Sequence, residues 1–223
     1  MSNASPFDLV IFDCDGVLVD SEPLSCRAFE QVYANYGMPL PEGTVAKGIG
    51  MKQADILAMI ADLTGHHLPD EALSQFWPET KVLFAEHLQP ATGIADFLKV
   101  LPNKRCVASS SQPERIAFSL EKTGISQYFG DAVYSSSMVK RGKPAPDLFL
   151  FAADKMGVDP ARCVVIEDSP FGVEGAIAAG MTAFGYTGGG HTYEGHAERL
   201  SSKGAERVFA HWDDIAREIL VAA

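Results

Sequence analysis

The chain has 223 residues, 47% of them hydrophobic, and a formal net charge of −11 with a pI near 4.9. That is enough apolar material for one sizeable core or a core with a small second domain, while the acidity argues against duplex nucleic acid or an anionic membrane as partner, since both need clustered Lys and Arg. No apolar run reaches the roughly 18 residues of a membrane-spanning helix, and the polar start MSNASP lacks the basic and apolar regions of a signal peptide, so the expected address is the cytoplasm.

Residues 7–12, FDLVIF, read as a strand buried on both faces, because the run barely alternates and is rich in β-formers. Such a strand points to a parallel sheet. It runs directly into Asp13 and Asp15, whose charges repel unless a cation or donors lie between them. Taken alone, this D-x-D is equally readable as a solvated turn led by Gly16.

A different rhythm follows. Between residues 21 and 37, Phe29, Val32, Tyr33 and Tyr36 fall at i, i+3, i+4, i+7, and Gly37 ends the helix. Ile56, Leu57, Ile60 and Leu63 repeat the pattern before Gly65. A third helix holds Leu73, Phe76, Trp77, Leu83 and Phe84, with Pro78 at a kink or boundary. An all-helical block of roughly seventy residues is therefore expected between the first strand and the second.

From residue 105 the sequence alternates. Strands are expected at 105–110 (RCVASS), 131–136 (DAVYSS), 163–168 (CVVIED) and 181–186 (MTAFGY). Helices run from Pro113 to Gly124, from Pro146 to Gly157 and from Pro170 to Gly180, each opened by proline and closed by glycine. The C-terminal HWDDIAREILVAA reads as a packed amphipathic helix. The expected fold class is α/β: a Rossmann-like open parallel sheet core, residues 1–19 and 90–223, with an inserted α-helical bundle cap, residues 20–89. Cys14, Cys26, Cys106 and Cys163 form no C-x-x-C pair and read as reduced structural thiols.

In an open α/β sheet, ligands bind outside the carboxyl ends of the strands. Asp13 and Asp15 end the first strand, Ser109 to Ser111 the second, Lys140, Arg141 and Lys143 follow the third, and Glu167 and Asp168 end the fourth. All four clusters land on one rim. Lys140 and Arg141 are expected to face solvent, and the Glu167-Asp168 pair also suits the N-terminus of the helix that Pro170 opens. TGGGHTYEGH lacks the lysine of a P-loop and reads as a mobile loop, and His191 and His196, five apart, supply no metal set by themselves.

At this point the sequence resembles the haloacid dehalogenase-like hydrolases, in the branch whose helical cap is inserted just after the first motif. DCDGVLVDSE, VASSS, KRGKPAPDLF and VVIEDSPFGVEGAIAAG match the four motifs of that family in order, and the likeness spans essentially the whole chain. The resemblance implies that Asp13 is a nucleophile forming an aspartyl phosphate and that Asp15 is the general acid and base, with a pKa raised by neighbouring carboxylates and restrained by a metal. It implies Mg²⁺ held by Asp13, the backbone carbonyl of Asp15, Glu167 and Asp168. Ser109, Ser110 and Lys143 would bind the phosphoryl group, the last also stabilising the transferred oxygens.

The implied activity is a Mg²⁺-dependent phosphatase acting on a small phosphorylated metabolite of the sugar or sugar-acid phosphate type, with a monomer as the default state. The rival is a β-phosphoglucomutase-like mutase. Where those mutases carry a histidine ten residues beyond the second aspartate, this chain has Ser25, and Met51 replaces their arginine in KGIGMK. A mutase needs a second cationic phosphate site in the cap, which Lys47, Lys52 and Lys81 could in principle provide. Asp15 and the Glu167-Asp168 pair count against a dehalogenase. A phosphometabolite-binding regulator without turnover would have lost one of Asp13, Asp15, Ser109, Lys143 or Asp168, and all are present.

Overall fold

The computed structural model describes residues 5–49, 51 and 53–220. Lys52 lies outside the described residues. Six parallel strands, β1 (Leu9–Phe12), β2 (Lys104–Ser109), β3 (Val133–Ser135), β4 (Cys163–Glu167), β5 (Thr182–Tyr186) and β6 (Arg207–Phe209), form one sheet in the order β3-β2-β1-β4-β5-β6. β1 is central, pairing Phe12 with Val107 on one side and with Ile166 on the other. All four of its residues are fully buried, as its apolar run requires.

Helices cover both faces. On one, α4 (Ile94–Val100), α5 (Pro113–Lys122) and α9 (Trp212–Ile219) pack Phe97, Ile116, Leu120, Trp212 and Ile215 against Val10 and Phe12, with the Phe97 and Trp212 rings stacked 5.2 Å apart. On the other, α6 (Asp147–Met156), α7 (Pro170–Ala178) and α8 (His196–Ser202) pack Phe149, Val173 and Leu200 against Leu9, Ile11 and Cys106. Of the strands predicted at 105–110, 131–136, 163–168 and 181–186, β2 is shifted back by one residue, β3 shrinks to Val133–Ser135, and β4 and β5 are each slightly shorter. β6, α4 and α8 add to the expected set.

Between β1 and β2 lie α1 (Glu22–Asn35), α2 (Gln53–Thr64) and α3 (Phe76–His87). They share a core of their own in which Phe29, Val32, Tyr33, Ile60 and Phe76 are buried. Pro78 occupies the first turn of α3, where its missing N–H costs no helical bond, so it starts the helix rather than kinking it. Leu73 falls instead in a preceding 3₁₀ turn, Asp70–Gln75, and is 42% exposed. α3 leans on α5: Trp77 meets Phe118 edge-on at 5.9 Å, and Lys81 bonds Glu114 across the same contact. No helix among the described residues is long and apolar enough to cross a membrane.

Candidate active site

The strand order reverses beside β1. The chain runs from β1 outward through β2 and β3, then returns to place β4 on β1's other side, which opens a crevice at the carboxyl ends of β1 and β4. Asp13 follows β1 there; Glu167 ends β4 and Asp168 follows it. One carboxylate oxygen from each of the three lies within 4.8 Å of the other two, and all three residues are buried. Lys143 Nζ donates to Asp13 Oδ1 at 2.6 Å and makes a very short contact with Glu167 Oε1.

Such crowding has an electrostatic signature. Burial pushes the Asp13 carboxyl well above its usual range, and Glu167, Asp168 and Asp15 push it further against the pull of Lys143. Asp168 is pushed up by burial and by Glu167. Lys143, although burial works against its charge, is held above the usual ammonium range by Asp13 and Glu167. One lysine leaves three buried carboxylates short of positive charge. The donors are all hard oxygens, the set a small divalent cation such as Mg²⁺ favours and a soft metal does not.

Two glycines make this packing possible. A Cβ on Gly16, whose φ is +75°, would sit 1.9 Å from Asp168 Oδ2; one on Gly172, in the first turn of α7, would sit 1.9 Å from Glu167 Oε1. Glu167 is 0% exposed and lies beneath the crevice, its Oε2 accepting from Ser169 N and Oγ at 3.1 and 3.0 Å. Ser169 Oγ in turn caps Gly172 N, so the start of α7 and the end of β4 lock one another.

The second aspartate behaves differently from the first. Asp15 Oδ1 accepts from Ser21 Oγ at 2.8 Å and from Arg115 Nη2 at 2.6 Å and Nε at 3.2 Å, while Oδ2 accepts from Ser111 Oγ at 2.6 Å. A raised pKa was the expectation. Burial does raise it, but the Arg115 charge and these hydrogen bonds outweigh burial and leave the carboxyl below the usual range. Its side chain points to a cation and hydroxyls, so only its backbone remains for a metal.

Asp13, Asp15, Ser109, Ser110, Lys143 and Asp168 line one cavity of about 670 Å³ that also reaches the helical block. The crevice thus brings together every predicted site residue except Glu167, which underlies it. Ser109 Oγ accepts from Ser111 N at 3.1 Å, leaving its own proton to donate. Arg141 is exposed and paired with Asp147, as expected, whereas Lys140 also borders the cavity. The 187–196 loop packs against the site. His191, its side chain 1% exposed, lies with Nε2 2.9 Å from Asp168 Oδ2, although the two are not aligned for a hydrogen bond; His196 Nε2 lies 2.7 Å from the Asp168 carbonyl.

Sequence reasoning missed Arg115 and Glu22, both of which line the cavity. Arg115 lies on α5, two residues after the helix-opening Pro113, and resembles any surface arginine until β1 and α5 are seen together. Its only hint is its place in the first turn of the helix that follows the serine run.

A haloacid dehalogenase-like hydrolase family model matches residues 7–180. The chain belongs to the haloacid dehalogenase-like hydrolases. It is 32% identical to the 6-phosphogluconate phosphatase of Escherichia coli K12 over 182 residues, covering 81% of this chain and 82% of that one. It is 34% identical to the fructose-1-phosphate phosphatase of the same organism, covering 78% and 93%. A family hydrolase from Deinococcus radiodurans, solved with bound phosphate and sodium, superposes with a TM-score of 0.79 at 33% identity, covering 96% of this chain and 95% of that one.

Proposed function

We propose that this chain is a Mg²⁺-dependent phosphatase that hydrolyses the phosphoric monoester of a small sugar or sugar acid through an aspartyl phosphate on Asp13. The class of reaction, phosphoric monoester hydrolysis, follows from the family and its named phosphatases. The observation that carries the finer reading is the meeting of Asp13, Glu167, Asp168 and Lys143 where the strand order reverses, at the floor of a cavity large enough for a phosphorylated metabolite.

In this reading Asp13, Asp168, the Asp15 carbonyl and Glu167 would hold Mg²⁺, which would supply the positive charge that a phosphate dianion needs beside carboxylates. Asp13 attacks phosphorus through one carboxylate oxygen as the ester P–O bond breaks. Asp15, held ionised in the empty site by Arg115 and its hydroxyl donors, has to take up a proton as substrate binds; it gives that proton to the departing alkoxide, then takes one from the water that attacks the phosphoenzyme. The P–O bond to Asp13 breaks and inorganic phosphate leaves. Lys143 favours the ionised form of Asp13 against burial, a task a bound cation would share, and with the Ser109 hydroxyl and the Ser110 N–H it holds the transferred oxygens. Residues 20–89 act as a cap over the body formed by 1–19 and 90–223, excluding bulk water.

The cap's lining favours hydrolysis over a mutase. Among the described residues, the cap side of the cavity carries Ser25, Cys26, Met51, Gln53 and Thr80 but no Lys or Arg. Lys81 is spent on Glu114, and Lys47 is exposed and away from the lining. A bisphosphate intermediate would need a second cationic seat there. The test is a panel of sugar, sugar-acid and nucleoside phosphates assayed for free phosphate and for isomerised sugar phosphate, with Mg²⁺ and with chelator. Mg²⁺-dependent phosphate release supports the proposal, and isomerised product without release refutes it.

A further inference from the structure

Arg115 is engaged on three sides and open on the fourth. Its Nε and Nη2 donate to Asp15, and Nη2 donates again to Ser25 Oγ at 2.9 Å. The buried Phe84 ring covers one face of the guanidinium, 5.0 Å from its central carbon. An arginine has five N–H donors in a rigid fork. Three are spent here, and among the described residues neither donor on Nη1 has an acceptor. Nη1 is not sealed from solvent: the side chain keeps 21% exposure and lines the cavity, and no Arg115 nitrogen is a buried orphan.

This matters for the alcohol half of the substrate, and the inference rests on the phosphatase reading above. If Asp15 protonates the ester oxygen, the carbons attached to that oxygen lie beside Asp15 and so beside Arg115. The other cavity cations do not serve this place. Lys143 is committed to Asp13 and Glu167, and Lys140 follows β3 on the exposed rim. The cap adds Phe29, Ile49, Met51, Ile56 and Phe76 to the lining, none of which can bond an oxygen through its side chain.

We infer that Arg115 is a specificity-determining residue whose free Nη1 donors take an oxygen, hydroxyl or carboxylate, borne by the carbon next to the ester-bearing carbon. The site thereby selects sugar and sugar-acid phosphates over esters of plain alcohols. An alcohol lacking that oxygen would displace water from Nη1 and return nothing, which is the arrangement that discriminates most sharply. The clamp by Asp15, Ser25 and Phe84 fixes the fork before substrate arrives, so little order is lost on binding.

The test compares kcat/KM within two matched pairs: glycerol 3-phosphate against propyl phosphate for the hydroxyl, and 2-phosphoglycolate against ethyl phosphate for the carboxylate. Both members of a pair need the same proton from Asp15, so damage to Asp15 cancels in the ratio. The wild type is expected to favour the oxygenated member of at least one pair about 10- to 100-fold, with the difference mainly in KM. Arg115→Gln should bring that ratio to within about threefold of unity, and Arg115→Lys should restore part of it. p-Nitrophenyl phosphate, whose leaving group needs no proton, reports the remaining chemistry. A wild type that does not discriminate, or a ratio that survives Arg115→Gln, overturns the inference. If Arg115→Gln fails to fold by circular dichroism, the wild-type ratio and Arg115→Lys decide it by the same criteria. Release from p-nitrophenyl phosphate without discrimination defeats this inference alone, whereas no release from any ester defeats the phosphatase reading and this inference with it.

Discussion

Gly172→Ala sets two physical effects in opposition, so its sign is informative. Gly172 is helical, and helix propensity alone would have alanine stabilise α7 by about 1 kcal/mol. The new Cβ would, however, lie 1.9 Å from Glu167 Cδ and Oε1 and 2.3 Å from Oε2, far inside contact distance. Glu167 is fully buried between Lys143 and Ser169 and has no free space to enter, so its carboxylate must leave Lys143. Breaking a buried ion pair costs about 3–5 kcal/mol, leaving a net loss of about 2–4 kcal/mol. For a chain of this size that is a fall in Tm of roughly 4–16 °C. Urea unfolding and thermal melting of the metal-free protein measure it, and calorimetry should show weaker Mg²⁺ binding. In a Glu167→Ala background the same substitution should cost little, because the clash is gone. Stability equal to or above wild type with unchanged Mg²⁺ affinity would refute the packing argument.

Two further outcomes are expected. His191→Ala removes the imbedded ring that backs Asp168 Oδ2 and should weaken Mg²⁺ binding about 10-fold or more by calorimetry while leaving a cooperative melt; unchanged affinity would show that the ring only fills space. Burial, then Asp15 and Asp168, push Glu22 up to about 7 in the metal-free site. An unfolded glutamate titrates near 4.3, so between those values the folded chain keeps a proton that the unfolded chain has released, and stability falls as pH rises from about 4.3 to 7, by up to about 4 kcal/mol. Glu22→Gln should make that slope shallower in chelated protein, the remainder belonging to Asp13 and Asp168, whose carboxyls burial also raises, and an unchanged slope contradicts the assignment to Glu22.

Much of this architecture is written in local pattern. The unbroken apolar runs of β1 and β4 announce doubly buried strands, and the proline and glycine around α5, α6 and α7 mark their ends, so the charged residues at the strand ends could be assigned to one rim. β6 escaped because three residues, none of them fully buried, carry no periodic signal; α4 and α8 escaped because seven residues are barely two turns. The site's finer chemistry depends on contacts far apart in sequence. Arg115 reaches Asp15 across 100 positions and reverses the expected direction of its pKa. His191 comes from a glycine-rich stretch whose composition suggests freedom, yet Gly190 N is tied to Asp20 at 2.9 Å and the ring is packed against Asp168. Composition describes what a loop can do alone, and the tie to Asp20 is not visible from within it.

The central claim, covalent catalysis by Asp13 with Asp15 as its proton partner, is tested most directly by rapid-quench measurement on Asp15→Asn with p-nitrophenyl phosphate and Mg²⁺. The first step then needs no acid, and the second lacks its base, so p-nitrophenol should appear in a burst equal to the enzyme concentration and phosphate should remain bound to Asp13. Steady turnover with no burst and no protein-bound phosphate would contradict it.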